Sequence, residues 1–164
     1  MIVVSNTSPL NYLVLIDAQD VLPALYKQVL IPTQVADELR APGTPENVRN
    51  WFNGAPPWLE VGQAPDHSVP RNIHAGEAAA IALARSVNAS LLLIDDQLAH
   101  EYATKERLRV TRTLGVLRDA ALHGIVDLRV AFSKLSQTNF RAPSHLYNDI
   151  LRDMADLPRS RPTP

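Results

Sequence analysis

Five short segments typical of β-strands alternate with helical segments, and this alternation constrains the fold more than any other feature. The predicted strands are Ile2–Val4, Val29–Ile31, Trp58–Val61, Ser90–Ile94 and Arg109–Thr111. Leu91 to Ile94 gives four successive apolar positions, as expected of a strand covered on both faces. Because strands that alternate with helices form parallel sheets, the sequence predicts a three-layer α/β/α domain with a central parallel sheet of four to five strands.

Apolar spacing and capping residues predict helices between these strands. One begins near Thr7, where Thr7-Ser8 would supply a hydroxyl cap and Pro9 lies in the first turn. The others are predicted at Thr33–Arg40, Val48–Phe52, Ala75–Val87, Gln97–Arg107, Thr113–Leu122, Leu128–Ser136 and Pro143–Met154. His123-Gly124 would end the helix that begins at Thr113. We expect one domain over residues 1–154 and a Pro/Arg-rich tail over residues 155–164.

Composition excludes several classes of protein. The 164 residues suffice for one buried core, and the net charge of −1 shows no strongly basic surface. The absence of cysteine excludes disulfide frameworks, thiolate zinc sites and cysteine nucleophiles. The sequence has no apolar run of the ~20 residues that a membrane helix needs, and no basic N-terminal leader. We expect a cytoplasmic protein that does not contact a membrane.

Polar residues follow two of the predicted strands directly. Asn6 follows the first strand, and Asp95-Asp96 follow the fourth. In open parallel sheets, ligands bind beyond the carboxyl ends of the strands. Glu77, in the first turn of the alanine-rich helix, and Glu38, beside the apolar stripe of its own helix, are expected at the same edge.

Each of these acidic residues also has a purely structural interpretation. One aspartate of the pair would cap the helix beginning at Gln97. Glu77 would interact favourably with the helix dipole, and Glu38 would lie at the rim of the core. A single cap does not explain two adjacent aspartates, so both interpretations remain open.

Carboxylates that meet at one edge repel each other, and each raises the pKa of its neighbour. A hard divalent cation with oxygen ligands relieves this repulsion, and Mg²⁺ or Mn²⁺ suits a site of carboxylates and waters. Such a site supports in-line attack on a phosphodiester. The sequence has no dinucleotide fingerprint, Walker A loop, zincin histidine pair or nucleophile elbow that would indicate other chemistry.

Five segments, in order, resemble the PIN-domain family, and more closely its DUF3368 branch of predicted nucleic-acid-binding proteins. They are VVSNTSPLNYL, IPTQVADEL, HAGEAAAIALA, LLLIDDQLAHEYA and TRTLGVL, and the resemblance runs from Met1 to about Leu151. It implies a strand order of 3-2-1-4-5, a Mg²⁺- or Mn²⁺-dependent ribonuclease and frequent homodimers. Many small prokaryotic members are toxins inhibited by a cognate antitoxin protein.

The resemblance also implies roles for individual residues. Catalytic positions fall on Glu38, Glu77 and Asp96, and metal-ligand positions on Asn6, Glu77, Asp95 and Asp96. Substrate-binding positions fall on Thr7, Ser8, Arg112 and Thr113. Asn6 stands where PIN domains usually have aspartate, and Arg112 stands where the branch usually has glycine.

Two hypotheses of different classes follow. The first is a metal-dependent ribonuclease that acts on RNA as the toxin of a toxin–antitoxin pair. The second is a protein of the same fold that has lost catalysis and binds RNA or a partner, because Asn6 removes one formal charge from the site. A receiver-type phosphoacceptor is disfavoured, since its acidic pair follows the first strand rather than the fourth.

Overall fold

A computed structural model describes residues 1–157, and a five-stranded parallel sheet lies at their centre. The strands are β1 (Val3–Ser5), β2 (Val29–Pro32), β3 (Leu59–Gly62), β4 (Leu91–Leu93) and β5 (Val110–Thr111). They pair in the order β3-β2-β1-β4-β5, and every pair is parallel. The predicted parallel sheet and the strand order implied by the resemblance are both confirmed.

Helices cover both faces of the sheet. They are α1 (Thr7–Leu15), α2 (Val21–Tyr26), α3 (Thr33–Arg40), α4 (Glu46–Asn53), α5 (Ala75–Ser86), α6 (Gln97–Lys105), α7 (Thr113–Leu122), α8 (Leu128–Ser136) and α9 (Ser144–Asp156). The sequence analysis missed α2, a six-residue helix with Pro23 in its first turn. Among residues 1–157, no helix is long and apolar enough to cross a membrane.

The C-terminal helix extends beyond the predicted domain boundary. Residues 155 and 156, placed in the predicted tail, are the last residues of α9. Residues 158–164, the rest of that tail, lie outside the described residues.

The predicted hydroxyl cap of α1 is wrong. Asn6 is the N-cap residue, and its side-chain oxygen accepts a hydrogen bond from the backbone N–H of Thr7 at 2.5 Å. β1 continues to Ser5, one residue beyond the predicted strand, and Asn6 follows it directly. At the end of α7, Gly124 follows the C-cap residue His123 with a φ of 70°, which confirms the predicted termination there.

Two hydrophobic cores lie on opposite faces of the sheet because neighbouring strand residues point in opposite directions. Val3 and Leu93 pack with apolar residues of α1, α3, α4, α7 and α8. Val4 and Leu92 pack with α5 and α6. Both faces are therefore buried, as expected of a parallel sheet.

The register of the central strands determines where the candidate site lies. Ser5 of β1 is aligned with Leu93 of β4, and the N–H of Asn6 donates to the carbonyl of Leu93 at 3.0 Å. The chain therefore leaves the sheet at neighbouring points after β1 and after β4. This brings Asn6 and the Asp95-Asp96 pair to one edge.

Candidate functional site

A cleft lies at the carboxyl ends of β1 and β4. It consists of two adjoining cavities, of about 400 and 300 Å³, which share Ser8, Tyr12 and Glu77 in their linings. The first is also lined by Asn6, Thr7, Asn11, Glu38 and His74, and the second by Asp95, Asp96, Asn139, Phe140 and Arg141. All four predicted carboxylates and the predicted Asn6, Thr7 and Ser8 therefore meet in this cleft.

Glu38 reaches the cleft from α3 because a glycine leaves space for it. Its carboxylate accepts a hydrogen bond from the hydroxyl of Thr7 at the start of α1. A Cβ atom at position 76 would overlap Oε1 of Glu38 and lie 2.9 Å from its Cδ. Gly76, in the first turn of α5, is thus required for this placement of Glu38.

Glu77 lies at the N-terminus of α5 and is partly buried. Its Oε2 accepts the backbone N–H of His74 at 3.2 Å, so it also serves the helix terminus, as the structural interpretation holds. Burial raises the pKa of the Glu77 carboxyl, and the negative charges of Asp96 and, more weakly, Glu38 add to the increase. The His74 N–H and the His74 charge oppose it.

Asp95 joins three elements through its side chain. One carboxylate oxygen accepts hydrogen bonds from the Ser8 hydroxyl of α1 and the Thr113 hydroxyl of α7, both at 2.7 Å. The other accepts the backbone N–H of Thr113 at 2.8 Å. These three donors occupy both oxygens, so Asp95 ties β4 to the first turns of α1 and α7.

Asp96 is the N-cap residue of α6. Its Oδ1 accepts the backbone N–H of Ala99 at 2.9 Å, which confirms that one aspartate of the pair caps the helix. Because Asp96 also lines the cleft and raises the pKa of Glu77, the capping role does not remove it from the site.

Arg112 and Thr113 both form hydrogen bonds with Asp95. Thr113 is fully buried, and both of its donors are bound to Asp95. The Arg112 guanidinium donates to the backbone carbonyl of Asp95 at 2.7 Å and to the side chain of Gln97. This geometry gives both residues a positioning role towards Asp95 and offers substrate no contact with the Thr113 side chain.

Comparison with known proteins decides the family. The model of the family DUF3368, described as a PIN domain, matches residues 2–156. The chain belongs to the PIN-domain family.

One solved structure extends this result. A PilT N-terminus domain protein from the hyperthermophilic archaeon Sulfolobus solfataricus P2 is similar, with a TM-score of 0.50 and 16% identity, over 87% of this chain and 100% of that chain. This similarity shows a shared fold. No curated protein gives a significant match to the sequence. The PIN domain is a nuclease-type fold, and PIN domains typically use divalent metals.

The sequence analysis missed six residues that line the cleft of this PIN domain: Asn11, Tyr12, His74, Asn139, Phe140 and Arg141. Tyr12 packs edge-to-face against Phe140, with ring centroids 4.9 Å apart, and its hydroxyl donates to Asn139 at 2.9 Å. Burial raises the pKa of Tyr12; the charge of Asp95 adds to the increase and that of Arg141 opposes it. The signal available in the sequence was the aromatic and basic pair Phe140-Arg141 in a segment between two helices.

The donor set suits a hard divalent cation that keeps much of its water. The cleft presents carboxylates from Glu38, Glu77 and Asp96 and the amide of Asn6. Within residues 1–157, no three acidic or histidine side chains converge as a ready-made metal group. Mg²⁺ usually retains several waters and takes one or two carboxylates from the protein, so these residues fit such an ion.

Proposed function

We propose that this PIN domain is an endoribonuclease that depends on Mg²⁺ or Mn²⁺ and cleaves RNA phosphodiester bonds. The observation that supports it best is the convergence of Glu38, Glu77, Asp95 and Asp96 in one open cleft, where burial and the charge of Asp96 raise the pKa of Glu77. A carboxyl group in such surroundings gains most from a cation, because a cation offsets the repulsion between the two acids.

Glu77 and Asp96 would hold the ion, in part through water, with the amide oxygen of Asn6 as a weaker donor. When bound, such an ion supplies a positive charge for the phosphate and lowers the pKa of a coordinated water. Glu38 forms the opposite wall, where the Thr7 hydroxyl orients its carboxylate towards the cleft. In that position Glu38 would orient a water molecule and accept its proton.

Asp95 serves this arrangement as a positioning residue. Its hydrogen bonds to Ser8 and Thr113 fix the first turns of α1 and α7 beside the end of β4. The same turn of α1 holds Asn6 and Thr7, so the geometry of the metal ligands depends on Asp95 without a direct contact.

Purified protein incubated with single-stranded RNA tests the activity. We expect cleavage with Mn²⁺, none with a chelator, and none from Glu77→Gln or Asp96→Asn. The matched control is Asp37→Asn, which removes a carboxylate that is 71% exposed on α3 and should cleave like wild type. If either cleft variant keeps full activity, the substituted residue serves only to stabilise the N-terminus of its helix.

We also propose that the protein acts in the cytoplasm as the toxin of a toxin–antitoxin pair, as a homodimer. Membership of the PIN family supports this role. Expression of the chain alone should arrest growth, and co-expression with a small protein encoded beside it should restore growth and yield a purifiable complex. If cells that express the chain grow normally although the purified protein cleaves RNA, the toxin role is wrong and the nuclease activity is unaffected.

A second candidate is a PIN-fold protein that binds RNA or a partner without cleaving. Asn6 favours this candidate, because its amide contributes no formal charge where PIN domains usually have aspartate. RNA binding by the purified protein with no cleavage under any divalent metal would decide for it.

A further inference from the structure

The second cavity of the cleft has a wall that the proposed chemistry does not use. It is formed by Tyr12 of α1 and by residues 139–141 of the segment between α8 and α9. The edge-to-face pair of Tyr12 and Phe140, at an interplanar angle of 79°, and the hydrogen bond from Tyr12 to Asn139 fix this segment beside the carboxylates. An aromatic surface thus lies directly next to Glu77 and Asp96.

Arg141 adds a positive charge to this wall. It is exposed, lines the same cavity as Asp95 and Asp96, and forms no ion pair with any carboxylate of residues 1–157. Arg112, the other arginine near the cleft, differs because its guanidinium is bound to Asp95 and Gln97. Arg141 is therefore the guanidinium that remains available to a ligand at this end of the cleft.

A structural role explains the aromatic packing in this wall but not the position of Arg141. Packing of Phe140 on Tyr12 anchors the segment to the core, but anchoring does not require an unpaired guanidinium in a cavity lined by acids. Aromatic rings beside an arginine are the combination that binds single-stranded nucleic acid, since the rings stack on a base and the guanidinium binds phosphate. At about 300 Å³ the cavity is at the lower end of the range for ligand sites.

We infer that Tyr12, Phe140 and Arg141 form a nucleotide subsite that selects RNA with an unpaired base beside the phosphate held at the carboxylates. Phe140, supported by Tyr12, packs against the base, and Arg141 binds the adjacent phosphate. The inference rests on the proposed function, because it takes RNA as the ligand of the cleft. It assigns substrate preference to a segment outside the acidic residues.

Binding of a fluorescein-labelled single-stranded RNA, measured by anisotropy with Mn²⁺, tests the subsite. All variants are made in a Glu77→Gln background, which is expected to block cleavage during the measurement. We expect Phe140→Leu and Arg141→Ala each to weaken binding about fivefold or more. Arg129→Ala, which removes an exposed arginine from α8 at a different cavity, should bind within twofold of the parent.

Two further comparisons separate the base contact from the phosphate contact. Arg141→Ala should reduce the slope of log affinity against log salt concentration by about 0.7, the value for one phosphate contact on a single strand. Phe140→Leu should leave that slope unchanged and should have no effect on an RNA of abasic nucleotides. Phe140→Tyr should restore binding, because tyrosine keeps the aromatic ring. Equal binding of the abasic RNA by Phe140→Leu and its parent would show that the loss in Phe140→Leu is not a folding defect.

Equal binding by Phe140→Leu, Arg141→Ala and their parent would overturn the inference, as would no binding of RNA by the parent. Cleavage by the wild-type chain is measured separately. If wild type fails to cleave but the two variants bind weakly, the proposed nuclease function fails and the subsite stands. If wild type cleaves and the two variants bind RNA as tightly as their parent, the nuclease stands and the subsite fails.

Discussion

Asp95 and Glu77 line the same cavity, yet their carboxylates lie in opposite electrostatic environments. Asp95 accepts three hydrogen bonds, from the Ser8 hydroxyl and from two groups of Thr113. Glu77 accepts one, from the backbone of His74, and faces the charge of Asp96. The protein supplies hydrogen-bond donors to both oxygens of the Asp95 carboxylate, whereas it supplies a single donor to that of Glu77.

The first turn of α1 contacts Asp95 and also a third carboxylate, Glu38. Thr7 donates its hydroxyl to Glu38 and its neighbour Ser8 donates to Asp95. A single turn therefore holds a carboxylate on each side of the cleft. The two carboxylates differ because Thr113 donates two further hydrogen bonds, from its N–H and its hydroxyl, to Asp95 and none to Glu38.

The largest effect is expected from removing Asp95, the carboxylate that accepts three hydrogen bonds. Asp95→Ala would leave the Ser8 hydroxyl and two buried donors of Thr113 without their acceptor, at about 1–3 kcal/mol each for unpaired buried groups. We expect the free energy of unfolding to fall by at least about 3 kcal/mol, as measured by urea denaturation. Asp96→Ala, its neighbour, removes one helix cap and should cost about 1 kcal/mol. Equal losses from the two variants would contradict the distinction between them.

A carboxylate added at position 6 would sharpen the comparison. Asn6→Asp keeps the N-cap of α1, because aspartate caps as well as asparagine. It also adds a negative charge to the cavity that holds Glu77. We expect calorimetric titration to show Mn²⁺ binding tighter by about 1–2 kcal/mol, on the scale of a gained charged contact. Asn11→Asp, on the same cavity wall, is the control for charge alone. If both variants bind Mn²⁺ equally well, residue 6 is not a ligand.

Gly76→Ala would displace Glu38 without removing its charge. The new Cβ would overlap Oε1 of Glu38, and the side chain would have to turn away from Thr7. Loss of that hydrogen bond, worth about 0.5–1.5 kcal/mol, should reduce cleavage with little change in thermal stability. Gly43→Ala, where a Cβ meets nothing within 4 Å, is the control and should retain full activity.

The smallest expected effect is a change in the pH dependence of stability. Because the pKa of Glu77 is raised above 4.5, the folded state retains this proton at pH values where the unfolded state has lost it. The contribution of Glu77 to stability is therefore greatest below pH 4.5 and falls as pH rises through the folded pKa. Glu77→Gln should be more stable than wild type at pH 7, by less than about 1 kcal/mol for a partly exposed group, and equal to it at pH 4. If wild type is more stable than Glu77→Gln at pH 7 without metal, the inferred repulsion between Glu77 and Asp96 is contradicted.

Some local features of the cleft could be predicted from the neighbouring sequence. The cap of α6 by Asp96 depends on a residue three positions away, so the neighbouring sequence suffices to find it. The cap of α1 was misassigned because asparagine and threonine both serve as N-cap residues, so residue type alone did not decide between the neighbours Asn6 and Thr7. The roles of Arg112 and Thr113 could not be found in this way, since both act on Asp95 across the sheet edge.

By itself, the sequence determined the alternation of strands and helices, the burial of both sheet faces and the approach of the acidic residues to one edge. Those properties follow from side-chain periodicity and from the shared direction of parallel strands. Only the tertiary structure decided which carboxylate accepts hydrogen bonds from neighbouring helices and which residues complete the cleft. Ser8 and Asp95 are 87 positions apart, and Tyr12 and Asn139 are 127 apart. Contacts at such separations depend on how helices pack on the sheet, which no local pattern specifies.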